Sequence, residues 1–207
     1  MNLEDYVLSH IDEEGEVLAR LNRNAHVNLL RPRMLSGHLQ GKILKMFVRM
    51  LQPKRILEIG TYTGYATICL AEGLSEGKIH TIEKNDELED FILKQFEESG
   101  YSDKINLHIG DAMNIIPQLN ETFDLVFIDA DKRLYSKYYD LVFDKVSKGG
   151  VILADNTLWD GKVIEEVLPN DKQTLGILRF NDKIKEDKRI EKVIVPLRDG
   201  LTVIYKL

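Results

Sequence analysis

Only one cysteine, Cys69, occurs in the 207 residues, so no disulfide within the chain can brace the fold. Basic residues are not in excess either. Lys and Arg number 28 against 34 Asp and Glu, and a net charge of −6 disfavours a partner built on a phosphate backbone. No apolar run is long enough to cross a bilayer, and Met1-Asn2-Leu3-Glu4-Asp5 lacks the basic-then-apolar order of a secretory leader. Internal repeats, low-complexity tracts and linkers are missing as well. With 43% hydrophobic residues, the expectation is one domain over 1–207, cytoplasmic, acting on a small molecule rather than on a membrane or a nucleic acid.

What is present alternates. Leu3, Val7 and Ile11, then Val17, Leu18 and Leu21, recur near helical spacing, which predicts one or two amphipathic helices that pack onto something else. Ser36 is placed to cap a further helix with the stripe Ile43, Leu44, Phe47, Val48 and Leu51, ending before Pro53. Residues 1–52 thus form a helical extension, expected to contribute to the site and to pairing. Beyond it, short strand candidates at 55–59, 78–83, 105–109, 123–128 and 151–154 are separated by helical segments such as 67–74 and 88–96. That rhythm predicts a doubly wound α/β sheet. Near the end, a helix over 174–184 precedes strands at 190–195 and 201–205. Asp199-Gly200 leaves too little chain between those two for a crossover, so they must pair as an antiparallel hairpin.

Two acidic clusters follow apolar strands: Asp129-Ala130-Asp131-Lys132 after 123–128, and Asp155-Asn156 after 151–154. If the strands are neighbours, their carboxyl ends lie about 5 Å apart. Asp129, Asp155 and Asn156 could then converge on one hard cation. The plainer alternative is that the aspartates are helix caps or solvated turn residues. Adjacent residues on a strand face opposite ways, so Asp155 and Asn156 can share a metal only where the strand has ended.

A third glycine is absent from the turn Glu58-Ile59-Gly60-Thr61-Tyr62-Thr63-Gly64-Tyr65. Gly60-x-x-x-Gly64 is not the three-glycine fingerprint that cradles a pyrophosphate. Glu58 just before the turn suits a cationic ligand, and Glu83, at the end of the second strand, can accept hydrogen bonds from both hydroxyls of a ribose. S-adenosylmethionine, a phosphate-free adenosine carrying a sulfonium and an ammonium group, fits these residues better than NAD does. A purely structural role for both glycines is the alternative.

Together these segments, with Gly110-Asp111-Ala112 and Asp155-Asn156-Thr157-Leu158-Trp159, resemble the motifs of the cation-dependent O-methyltransferases, the family of caffeoyl-CoA and catechol O-methyltransferases. The likeness runs in order along nearly the whole chain. It implies an α/β fold with a Rossmann-like, seven-stranded methyltransferase sheet, mostly parallel with an antiparallel last strand and helices on both faces, and S-adenosylmethionine and a divalent cation (Mg²⁺, or Ca²⁺ or Mn²⁺) as cofactors. Position by position, it implies that Glu58, Gly60 and Thr61 lie at the methionine end of the cofactor, Glu83 on its ribose, Asp111 and Ala112 by its adenine, Ser36 nearby, and Ala66 at a further cofactor-binding position after the glycine turn. By the same resemblance Asp129, Asp155 and Asn156 are the metal ligands, with Asp129 also beside the cofactor. Asp131 would sit near the cofactor amine, Lys132 beside the reacting oxygen, and Trp159 and Asp160 against the substrate. Two positions depart from the family. Ala66 stands where many members carry a cofactor-binding serine, and Val193 where catechol-type members carry a glutamate that grips the second hydroxyl.

The reaction so implied is methylation of a small phenol with vicinal hydroxyls, of catechol or hydroxycinnamoyl type, by a homodimer of the plant-enzyme kind. Lys132 is a candidate general base; a solvated lysine or an ion pair with Asp131 is the other reading. Trp159 is a candidate pocket wall, or else core or a dimer contact. Arg31 and Arg33 are candidates for receiving an acidic substrate tail, or are plain surface arginines. The five histidines show no ligand spacing. An NAD-dependent oxidoreductase and a non-catalytic adenosyl-binding module remain the competing functions. Acceptor specificity is expected in the N-terminal segment and in the loop 158–173.

Overall fold

Seven strands make one sheet in the computed structural model, which describes residues 1–207 and every side chain except that of Arg33. In chain order the elements are α1 Leu3–Leu8, α2 Glu16–Asn28, α3 Gly37–Leu51, β1 Arg55–Ile59, α4 Tyr65–Gly73, β2 Lys78–Glu83, α5 Glu89–Ser99, β3 Ile105–Ile109, α6 Ala112–Gln118, β4 Phe123–Ile128, α7 Tyr135–Phe143, β5 Val146–Ala154, α8 Lys172–Glu186, β6 Ile190–Val195 and β7 Leu201–Lys206. The strand order is β3-β2-β1-β4-β5-β7-β6. β1 to β5 run parallel, and β7 is antiparallel to both β5 and β6. Strand order reverses between β1 and β4, and a crevice opens at the carboxyl ends of strands beside such a switch.

Alternation along each strand feeds two cores. Ile56, Ile79, Leu125, Phe127 and Leu153 pack under α2 to α5, whereas Leu57, Ile59, Val126, Ile128 and Ile152 pack under α6 to α8. Both faces are covered, which is why β4 reads as an apolar run rather than an alternating one. Truncating Phe127, which is wholly buried, to alanine would cost about 3–5 kcal/mol.

Three features differ from the expectation. β5 begins at Val146, earlier than its apolar stretch, because Ser147-Lys148-Gly149-Gly150 extends it through a register shift opposite Phe123 and Leu125 without any hydrophobic signal. Ser36 occupies the N-cap position of α3 but its own backbone is already helical, and its side chain makes no cap bond. α1 is a six-residue helix with no buried residue, so its apolar side chains find no core in their own chain. α3 does end before Pro53, through a left-handed Gln52.

Candidate active site

Backbone hydrogen bonds carry the sheet one residue past its strands and so assemble the site. Gly60 N donates to Ile82 O at 2.9 Å, Asp129 N to Ile59 O at 2.9 Å, and Asp155 N to Ile128 O at 3.0 Å. Gly60, Asp129 and Asp155 therefore stand side by side at adjoining strand ends. A side chain on Gly60, whose φ is 101°, would collide with the carbonyl of Asp129, so this glycine is required by the close approach of β1 and β4. Gly64 answers to packing: a Cβ there would press 2.5 Å from the Phe96 ring on α5.

Above these ends lies a cavity of about 550 Å³, the size of a small-molecule site. Its walls include Ser36, Gly60, Thr61, Ala66, Glu83, Ala112, Asp129, Asp131, Lys132, Asp155, Asn156 and Trp159. The two aspartates, the asparagine and the lysine singled out at the strand ends thus share one cavity with the glycine turn and Glu83.

Three residues do not line it. Glu58 is fully buried beneath the turn, where its Oε2 accepts hydrogen bonds from Thr67 and, at 2.6 Å, from Thr81. Burial pushes its carboxyl up to about 8, against the lowering effect of those two hydroxyls. Asp111 serves as N-cap of α6, accepting from Met113 N at 2.9 Å and from Lys84 Nζ at 2.9 Å, and the lysine holds it below the usual carboxylate range. Asp160 is exposed, with a left-handed φ of 54°. None of the three is among the cavity walls, and the partners just named hold Glu58 and Asp111 in local structure.

At the metal candidates, Asp155 is 3% exposed. Its Oδ2 accepts from Gln40 Nε2 at 2.7 Å, while the buried Oδ1 has no hydrogen-bond partner among the described residues. Burial, and then the charge of Asp129, pushes its carboxyl up to about 6. β5 stops at Ala154, so Asp155 and the left-handed Asn156 (φ 58°) escape strand alternation and both reach the cavity. The amide of Asn156 donates to Asp199 Oδ2 at 3.4 Å. An orphaned buried carboxylate oxygen beside a second carboxylate is costly without a cation, and two carboxylates with an amide oxygen are hard donors. The residues present therefore fit a divalent ion. Histidine, cysteine, aspartate and glutamate alone form no group of three that would do so among the described residues.

Lys132 is neither solvated nor paired with Asp131. It is 6% exposed, and its Nζ donates to Asp129 Oδ1 at 2.8 Å and to Tyr135 Oη at 2.7 Å. Tyr135 in turn donates to Asp155 O at 2.9 Å. Asp131 instead binds Arg133 Nε through both oxygens, at 2.8 and 2.9 Å. Close packing fixes the loop: a Cβ on Gly176 of α8 would collide with the carbonyl of Lys132. Trp159 walls the cavity, its ring 6.0 Å from Lys132 Nζ, and also packs on the edge of the second core. At the other end, Glu83 is held by Tyr62 N at 2.7 Å and Asn85 N at 2.8 Å. Arg31 is an exposed part of the rim, and the side chain of Arg33 lies outside the described residues.

The sequence reading missed Gln40, Tyr135, Gln173, Arg198 and Asp199, which line or brace the cavity. Tyr135 could have been found by its three-residue spacing from Lys132, and Asp199 by its place in the hairpin turn. Gln40 carries no such signal. Of the histidines, His80 and His108 meet at 3.0 Å across β2 and β3, away from the cavity.

The O-methyltransferase family profile matches residues 8–207. Caffeoyl-CoA O-methyltransferase 5 of Nicotiana tabacum is 33% identical over 183 residues, covering 81% of this chain and 75% of the tobacco protein. Among solved structures, the O-methyltransferase from Bacillus cereus in complex with SAH superposes with a TM-score of 0.92 at 30% identity, over 99% of this chain and 97% of that one. TomG from Streptomyces achromogenes, an O-methyltransferase of tomaymycin synthesis solved with SAM, gives 0.90 at 28%, over 99% and 95%. The oxidoreductase alternative has no place beside these matches. The motifs, the sheet and the comparisons agree that this chain belongs to the S-adenosylmethionine-dependent O-methyltransferase family.

Proposed function

We propose that this enzyme methylates a phenolic oxygen of a small molecule with vicinal hydroxyls, using S-adenosylmethionine and a divalent cation held by Asp129, Asp155 and Asn156. The observation that carries the reading is the buried, unpartnered Asp155 Oδ1 beside Asp129 in a cavity that also contains Glu83. A phenol has a pKa of about 10 and is a weak nucleophile at neutral pH. When bound, the cation supplies positive charge that favours the ionised phenol, where each unit of lowered pKa corresponds to about 1.4 kcal/mol.

The chain's own residues do the remainder. Lys132 Nζ, set between Asp129 and Tyr135 and facing Trp159, is the group placed to take the phenolic proton. The indole of Trp159 offers a flat face to an aromatic ring. Glu83 holds the ribose end of the methyl donor, which fixes the sulfonium relative to the strand ends. Orienting the two reactants in this way contributes about 7 kcal/mol or more. The methyl group leaves sulfur for oxygen, giving the aryl methyl ether and S-adenosylhomocysteine, and the proton passes through Lys132 to solvent. Val193, on the exposed β6 edge and not a cavity wall, offers no grip on a second hydroxyl, which leaves that task to the cation site.

Incubation with labelled S-adenosylmethionine, Mg²⁺ and a panel of catechols, hydroxycinnamates and their thioesters is expected to give a methylated product. Failure of every phenol while another acceptor class is methylated would remove the phenolic reading. Pairing of two copies belongs to the same proposal. α1 has no core of its own, and Val193, Ile194 and Val195 are exposed on β6. Sedimentation equilibrium at the dimer mass is the expected result, and a monomer at micromolar concentration would refute it.

A further inference from the structure

The turn joining β6 to β7 does more than reverse the chain. Arg198 holds a left-handed φ of 49°, a backbone state that persists in a non-glycine residue only where its surroundings impose it. Its guanidinium crosses to the other end of the sequence. It donates to Leu35 O at 3.3 Å, to Ser36 O and, at 3.0 Å, to Gln40 Oε1. Gln40 is 1% exposed on α3 and donates through Nε2 to Asp155 Oδ2 at 2.7 Å.

An amide can be turned either way round, but a guanidinium only donates. Arg198 therefore fixes the carbonyl of Gln40 toward itself and the NH₂ toward Asp155. With Oδ2 so engaged, Oδ1 is the oxygen left without a partner among the described residues. The next residue of the turn acts on the second ligand candidate. Asp199 Oδ2 accepts from Asn156 Nδ2 at 3.4 Å, which directs the nitrogen of that amide to the turn. The main chain of Asp199 also accepts from Leu158 N at 2.7 Å and Trp159 N at 3.2 Å, so the segment after Asn156 hangs on the same turn.

We infer that Gln40 and Arg198 are positioning residues in series: Arg198 sets the amide of Gln40, and Gln40 sets Asp155 so that one carboxylate oxygen is presented for a cation. This rests on the cation reading above and goes beyond it by assigning two residues outside the ligand set. Groups that orient metal ligands through hydrogen bonds change metal affinity by about 10- to 100-fold when removed.

The test measures Mn²⁺ affinity of the full chain by the loss of the free-ion paramagnetic resonance signal, for wild type, Gln40→Leu, Arg198→Met, Arg198→Lys and the Gln40→Leu/Arg198→Met pair. Melting temperature and S-adenosylhomocysteine affinity monitor the fold. Wild type is expected to bind Mn²⁺ saturably, with Gln40→Leu weaker by about 10- to 100-fold. Arg198→Met should be weaker in the same direction, the pair no weaker than Gln40→Leu alone, and Arg198→Lys partly restored, because residues acting in series are not additive. In turnover, the Mg²⁺ concentration for half-maximal rate should rise more than the rate at saturating Mg²⁺ falls. Should Gln40→Leu fail to fold, Arg198→Met against Arg198→Lys decides alone. Wild type binding with variants equally tight would overturn this inference and leave the cation reading standing. Absence of Mn²⁺ binding by wild type would overturn both.

Discussion

Lys132 illustrates how little freedom the site leaves a side chain that is 6% exposed and bonded to both Asp129 and Tyr135. If it accepts the phenolic proton, Lys132→Ala should lower the single-turnover rate by about 10²- to 10⁴-fold near neutral pH, with the deficit shrinking as pH rises and the phenol ionises unaided. An unchanged rate across pH would remove Lys132 from the chemistry. Glu58 makes a prediction about stability instead. Its folded-state pKa is raised from 4.5 to about 8, so between those values the folded protein holds a proton that the unfolded chain has released. Stability from this group is therefore lost as pH rises from about 4.5 to about 8. Glu58→Gln, which cannot ionise, should melt above wild type at pH 8 by an amount worth a few kcal/mol at most, with the gap closing near pH 4.5. Parallel melting curves at the two pH values would contradict the assignment.

Among the elements, the strand ends and α8 do the positioning. Gly176 brings α8 against the backbone of Lys132, where any Cβ collides. Gly176→Ala should displace the 131–134 turn, cost about 1–3 kcal/mol of stability and reduce kcat more than S-adenosylmethionine affinity. Calorimetric melting and steady-state kinetics would check this, and an unaltered kcat would show the turn to be tolerant of the shift. This level also shows what could be read from the chain. β1 and β4 were legible because burial on both faces writes a largely apolar run bounded by charge, β2 and the edge strand β3 because they alternate with helical segments, and the β6–β7 hairpin because Asp199-Gly200 leaves no room for a crossover. The first half of β5 was not legible, since Ser147-Lys148-Gly149-Gly150 carries no apolar residue and falls in the register shift between the Phe123–Val146 and Leu125–Val151 pairs. Asp129, Asp155 and Asn156 were legible as oxygen donors stranded after apolar runs. Gln40 and Arg198 were not, for their meaning lies in hydrogen bonds between residues 158 positions apart. A motif records position and not depth: Glu58 lies under the floor of the turn and Asp111 caps a helix, and neither placement is written in the motif.

At the scale of the whole molecule, two cores clamp one sheet, and the sheet's strand-order switch sets an acidic cluster in the wall of the cavity. Folding buries Asp155 and sets it beside Asp129, at a cost visible in the raised carboxyl of Asp155, and a bound cation would offset that cost. Saturating Mg²⁺ should therefore raise the melting temperature of wild type, as a ligand that binds only the folded state does, and leave that of Asp155→Ala unmoved. An equal shift in both proteins would place the ion elsewhere. The most direct measurement is anomalous diffraction from a crystal grown with Mn²⁺ and S-adenosylhomocysteine. The account predicts a manganese peak bounded by Asp129, Asp155 and Asn156, on the cavity side of Lys132. Density for the nucleoside with no manganese at those three side chains would contradict it.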